Sequence, residues 1–156
     1  MSISIDDLPN KKSLEQDLAA QMDGGRTVSL IFVDLDGFKQ VNDQHGHPEG
    51  DKCLMESAVA MSKVINGKGR LYRPGGDEFC IILPDRSGSD AAVDAEHVRL
   101  SIGSLKPFGG ISKVTASVGV ATGYSGEGEH RFRRQAERRS GVKVNSSRSE
   151  ATLAVW

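Results

Sequence analysis

An α+β fold, a βαββαβ core whose antiparallel sheet is flanked by helices, is predicted by three observations on this 156-residue sequence. Thr27-Val28-Ser29-Leu30-Ile31-Phe32-Val33 is an unbroken β-branched and apolar run of strand length. Leu54, Ala58, Met61 and Ile65 then recur every three or four residues, as one face of a helix requires. Two more short runs, Arg70 to Arg73 and Phe79 to Leu83, are separated only by Pro74-Gly75-Gly76-Asp77, the chemistry of a turn, and so read as a hairpin.

The elements follow in order. Lys11 to Gln21 is a helix, with Pro9-Asn10 at its start, Leu14 and Leu18 on one side and Gly24-Gly25 at its end. The buried strand Thr27 to Val33 comes next. A helix over Pro48 to Ile65 places Pro48 in its first turn, where the missing N–H costs nothing. Asn66-Gly67-Lys68-Gly69 closes it, the hairpin follows, and Pro84 stops the second hairpin strand. Ser89 or Asp90 caps a helix through about Leu105, with Ala92, Ala95, Val98 and Ile102 on one side. Val114 to Ala121 is a strand, His130 to Ser140 a basic helix, and Ala151 to Trp156 a last strand. The chain holds no internal repeat, and its one linker-like stretch, Ser125 to Glu129, is too short to divide domains; residues 1–156 are predicted to form one domain.

Composition removes several functions. Hydrophobic residues make up 37% and charged residues 26%, as in a globular protein rather than a disordered one. With 20 Lys and Arg against 21 Asp and Glu, no global positive field exists to hold nucleic acid. No apolar run reaches the roughly 20 residues that span a bilayer, and the start lacks the pattern of a secretion signal. Cys53 and Cys80 are far apart in unlike settings and read as two buried free thiols, so a cytoplasmic location is expected. Charge is uneven: residues 1–60 hold eleven acids and five bases, and residues 130–148 seven bases and one acid. Acids in front suit a metal and bases behind suit phosphates, although two solvated faces would explain the same asymmetry.

Two places join strand ends to carboxylates. Asp34 stands at the carboxyl end of the first strand, before a turn at Gly37 whose backbone amides are free to meet anions. Gly75-Gly76-Asp77-Glu78 heads an apolar strand, and its glycines admit close approach of a ligand. If these strands are neighbours, Asp34 and Asp77 face one another and repel unless a divalent cation lies between them. Mg²⁺ suits a few carboxylates plus substrate phosphates, which points to phosphoryl or nucleotidyl transfer. Each segment alone is better explained by a polar turn; the two together favour the chemical reading.

Gly75-Gly76-Asp77-Glu78-Phe79 resembles the signature of the GGDEF domain, found in the diguanylate cyclases that condense two GTP into cyclic di-GMP. Asp7-Leu8-Pro9-Asn10-Lys11-Lys12 is similar to that family's opening segment, and Asp34 through Asp43 to its metal and phosphate segment. His45-Gly46-His47 through Gly50-Asp51 continues the match, and Val114 to Ala121 resembles its later strand, in family order from about residue 7 to 123. The resemblance implies a palm-like fold of the nucleotidyl cyclase type. It implies Mg²⁺ (or Mn²⁺) bound by Asp34, the Leu35 carbonyl and Asp77, with Glu78 holding or tuning the metal and Asp77 and Glu78 as catalytic residues. It implies guanine read by Asn42 and Asp51, phosphates met by Gly37, Phe38 and Lys39, and room for the nucleotide at Gly75 and Gly76. Without the family, Asn42 and Asp51 would read as helix caps. Asp51 favours GTP over ATP, because a carboxylate accepts from both the N1–H and the amino group of guanine. One GTP per domain implies a homodimer at the moment of condensation.

The sequence departs from the family beyond residue 123. Arg148 falls in register with the family's phosphate-gripping arginine, but Val144 stands where a lysine is usual and Lys143 comes one residue early. Either Lys143 serves after a one-residue shift or the grip is reduced. Asn66-Gly67-Lys68-Gly69 occupies the place of the family's inhibitory Arg-x-x-Asp and lacks both charged residues, so product feedback there is not expected. Family members usually carry a sensor or dimerisation domain, and with none preceding Met1 a partner, a standalone role or excision from a longer protein is expected. Three functions therefore stand: a diguanylate cyclase, a GGDEF module that binds GTP or a partner without turnover, and, last, a synthase of another cyclic nucleotide.

Overall fold

The computed structural model describes residues 3–23, 25–124 and 150–155. Helix α1 (Lys11–Asp23) leads to strand β1 (Val28–Asp36), then α2 (Phe38–His45), α3 (His47–Ile65), the hairpin β2 (Arg70–Gly75) and β3 (Glu78–Pro84), α4 (Gly88–Gly103), β4 (Thr115–Tyr124) and β5 (Glu150–Val155). The sheet order is β2-β3-β1-β4-β5, and β1 pairs antiparallel with both β3 and β4. This is the expected α+β, βαββαβ arrangement with an antiparallel sheet, two added helices and one added edge strand.

The central strand sorts its side chains by period two. Ile31, Val33 and Leu35 join the larger core with Leu54, Met61, Val98 and Ile102 from α3 and α4. Val28, Leu30 and Phe32 face the other way and meet Leu14, Leu18 and Met22 of α1. Burial on both faces explains why Thr27–Val33 reads as a continuous apolar run rather than an alternating one.

Four details differ from expectation. β1 continues through Asp36, because β4 pairs with it as far as Thr115. Phe38–His45 is helical although only Val41 of its eight residues is buried, so it shows no apolar stripe. α3 begins at His47. The α4 cap is Ser87, whose Oγ accepts the Asp90 N–H at 3.1 Å, not Ser89 or Asp90. The basic helix expected over 130–140 lies outside the described residues.

At the amino end of β1, Ser29 Oγ donates to the Arg86 carbonyl at 2.7 Å and lies 2.9 Å from the Thr122 hydroxyl. Beside this buried polar pair, Asp94 on α4, 4% exposed, receives Lys68 Nζ at 2.7 Å and Arg86 Nη2 at 2.9 Å. The α3–β2 and β3–α4 turns are thereby tied to one carboxylate. Cys53 and Cys80 are buried and free, as expected. Among the described residues no helix is long and apolar enough to cross a membrane.

Candidate active site

The carboxylates gather at the other end of β1. The register places Glu78 of β3, Asp34 of β1 and Ser117 of β4 in one row across the sheet. Asp34 therefore faces Glu78, while Asp77 occupies the turn and its carbonyl accepts the Leu35 N–H at 3.2 Å. A register shift between Tyr72 and Gly75 sets the hairpin turn, and such bulges re-aim the chain beside sites. An added Cβ at Gly75 or Gly76 would meet nothing within 4 Å, so the turn lies open to an incoming molecule.

Desolvation at the sheet end, followed by the charges of Asp77 and Asp36, pushes the Asp34 carboxyl above its ordinary range. Glu78 is also pushed up, by desolvation first and then by Asp34 and Asp77, with Lys11 opposing. Asp34 and Glu78, each pushed up in part by neighbouring carboxylates, suit a cation. Among the described residues no group of three His, Cys, Asp or Glu side chains closes into a ready-made cage. Asp36 escaped the sequence reading as a site residue; Ser117 Oγ donates to its carboxylate at 2.8 Å, which holds it beside Asp34. Its signal was present in the Asp34-x-Asp36 spacing, since i and i+2 share a face of a strand.

Gly37 ends β1 and caps α2, whose first residues are Phe38 and Lys39, with Lys39 exposed. Their amides open a helix N-terminus beside the acidic row, a place suited to phosphate. Asn42 meets α3 at a glycine: a Cβ on Gly50 would lie 1.8 Å from Asn42 Oδ1, so only glycine lets this side chain settle against α3, one residue before Asp51. A cleft of about 370 Å³ opens beside Asp51, lined also by Ile5, Pro48, Lys52 and Arg73. A larger groove of about 890 Å³ lies away from the carboxylates, between α3 and α4, and contains none of the expected site residues. Lys143 and Arg148 lie outside the described residues. Lys68, in the segment where a regulatory pair was missing, is engaged internally by Asp94.

Residues 4–139 match the family model described as diguanylate cyclase, GGDEF domain. Diguanylate cyclase VdcA of Vibrio cholerae is 33% identical over 129 residues, 80% of this chain and 38% of that protein. The bifunctional diguanylate cyclase/cyclic di-GMP phosphodiesterase MucR of Pseudomonas aeruginosa is 36% identical over 132 residues, 80% of this chain and 19% of its own length. This chain thus spans less than two-fifths of these relatives. Among solved structures, diguanylate cyclase SiaD of Pseudomonas aeruginosa, in complex with its activator SiaC, superposes with a TM-score of 0.72 at 36% identity, covering 85% of this chain and 53% of that one. The GGDEF domain of DgcB from Caulobacter crescentus, in complex with c-di-GMP, superposes with a TM-score of 0.70 at 29% identity, over 88% and 89% of the two chains.

Proposed function

Because this chain belongs to the GGDEF domain family of diguanylate cyclases, we propose that it condenses two GTP into cyclic di-GMP and pyrophosphate. The observation that carries this reading is the carboxylate row at the end of β1 and β3, beside the first turn of α2. A divalent cation, Mg²⁺ or Mn²⁺, held by Asp34, the Leu35 carbonyl and Asp77 with Glu78 alongside, would supply positive charge for the α-phosphate and the departing pyrophosphate.

The protein's own residues bind and orient. The Gly37, Phe38 and Lys39 amides and the Lys39 ammonium take the phosphates, and Lys143 and Arg148 add charge from the carboxyl-terminal segment. Asn42 and Asp51 select guanine, the carboxylate accepting from N1–H and the amino group. The 3′-hydroxyl oxygen of one GTP bonds to the α-phosphorus of the other, the bond to the β-phosphate bridging oxygen breaks, and the hydroxyl proton passes to Asp77 or water. Repeating the step in the opposite direction closes the ring, which requires two domains face to face, a homodimer. Incubation with GTP and Mg²⁺ at high protein concentration, followed by product separation, tests the reading; absence of cyclic di-GMP overturns it. A second reading, GTP binding without turnover, draws on Val144 at the usual lysine position. Tight GTP binding with no product would select it.

A further inference from the structure

The short helix α2 carries both the phosphate turn at its start and Asn42 near its end, yet eight residues with one buried side chain cannot hold themselves in place. A compact turn between α4 and β4 braces it. Phe108 is 2% exposed and anchors the turn in the core. The turn closes on itself, the Phe108 N–H donating to the Ser112 carbonyl at 2.8 Å and the Ser112 N–H to the Phe108 carbonyl at 2.9 Å.

From this turn three contacts reach the α2–α3 corner. Ser112 Oγ donates to Gln44 Oε1 at 3.1 Å and lies 2.9 Å from His45 Nε2. With its proton committed to Gln44, the hydroxyl accepts from His45, which fixes the proton on Nε2. The Gly109 N–H donates to Glu49 Oε1 at 2.9 Å. The His45 ring lies where a Gly109 side chain would begin, its Nδ1 2.3 Å from the Cβ position, and Gly109 has φ +58°. Asn42 is three residues before His45, and Asp51 two after Glu49. One turn therefore grips both helices within a helical turn of the two base-reading residues.

We propose that His45 and Gly109 are positioning residues for the base-reading end of the site, setting the separation of Asn42 from Asp51. The inference rests on the guanine-reading role given to those two residues above. Hydrogen bonds to a base edge weaken steeply with misalignment, so a corner displaced by a fraction of an ångström loses discrimination before it loses fold. Phosphate contacts, made at the far end of α2, are shared by all nucleotides and are affected less.

The test titrates GTP and ATP in Mg²⁺ against the parent and the variants His45→Ala, His45→Gln, Gly109→Ala and the His45→Ala/Gly109→Ala pair, with thermal melting alongside. His45→Ala and Gly109→Ala are each expected to weaken GTP about tenfold, the scale of one part-buried hydrogen bond lost, with little change for ATP. His45→Gln, whose amide N–H can donate to Ser112, recovers most of the ratio. The double variant is no worse than either single one, because the contested ring is gone. A parent selective for GTP whose ratio is unchanged in both single variants, even with melting lowered, overturns the positioning role alone. A parent that does not bind GTP overturns the site reading and this inference with it.

Discussion

Asp34 and Glu78 are register partners across the antiparallel β1–β3 pair, so two carboxylates stand directly opposite each other where the two central strands end. Like charges in that relation destabilise a sheet, a cost that a proton or a cation between them offsets.

That cost is measurable without activity. The Asp34 carboxyl lies above its ordinary value, so its contribution to the stability of the metal-free chain is present in full below the unfolded value of 3.8 and is lost as pH rises through the raised one. Asp34→Asn lacks that loss. In chelator at pH 7 the variant is expected to melt about 1–2 °C above the parent, the scale of a surface substitution. The two melting curves should converge as pH falls below 3.8, where the parent's carboxyl takes up its proton in both folded and unfolded chains. A variant less stable than its parent at pH 7 would remove the repulsion argument.

Asp77→Asn should abolish metal-dependent turnover and leave the fold intact. Asp77 sits in an open turn and contributes its backbone carbonyl, not its side chain, to the bond with Leu35. An amide carries no net charge to offset a divalent ion. Circular dichroism should be unchanged and the Mg²⁺-induced rise in melting temperature lost. GTP turnover near the parental rate would exclude Asp77 from the site.

At Asp51 the expectation is selectivity. Adenine, with an unprotonated N1, meets a carboxylate acceptor to acceptor, and an unpaired polar group costs about 1–3 kcal/mol. Asp51→Ser should weaken GTP about tenfold or more and narrow its margin over ATP. If Asp51 serves only as a residue of the first turns of α3, the variant loses stability and keeps its base preference.

Asp94→Ala addresses the opposite end of the sheet. It strands Lys68 and Arg86, which are partly exposed and regain water, so the loss is expected at about 1–3 kcal/mol. At roughly 2–4 °C per kcal/mol for a chain of this size, melting should fall visibly while GTP affinity is retained. Loss of affinity without loss of stability would mean that this ion-pair cluster belongs to the site.

Where burial left a local pattern, the sequence was readable. Thr27–Val33, the Leu54–Ile65 face and the hairpin runs all pack where their periodicity puts them. α2 was not readable as a helix, because Phe38–His45 fully buries only Val41, with Phe38 partly buried beside it and Gln44 and His45 held in corner contacts. The site divides in the same way. Asp34, Asp77 and Glu78 were legible from charge beside strand ends. That Glu78 rather than Asp77 faces Asp34 depends on where the Tyr72–Gly75 irregularity falls, which no single-strand pattern encodes. The His45–Gly109 contact joins residues 64 apart and leaves no mark on either neighbourhood.

The strand order has a kinetic consequence. β1 is hydrogen-bonded along both edges and buried on both faces, so its amides exchange with solvent only in the most costly openings of the domain. α2 has neither protection and exchanges through far cheaper, local openings. Asp34 and Asp36 are thus mounted on the slowest-exchanging backbone of the described residues, and Asn42 on one of the fastest. Deuterium labelling would see a single site as two populations, and a bound nucleotide would show itself by slowing only the second.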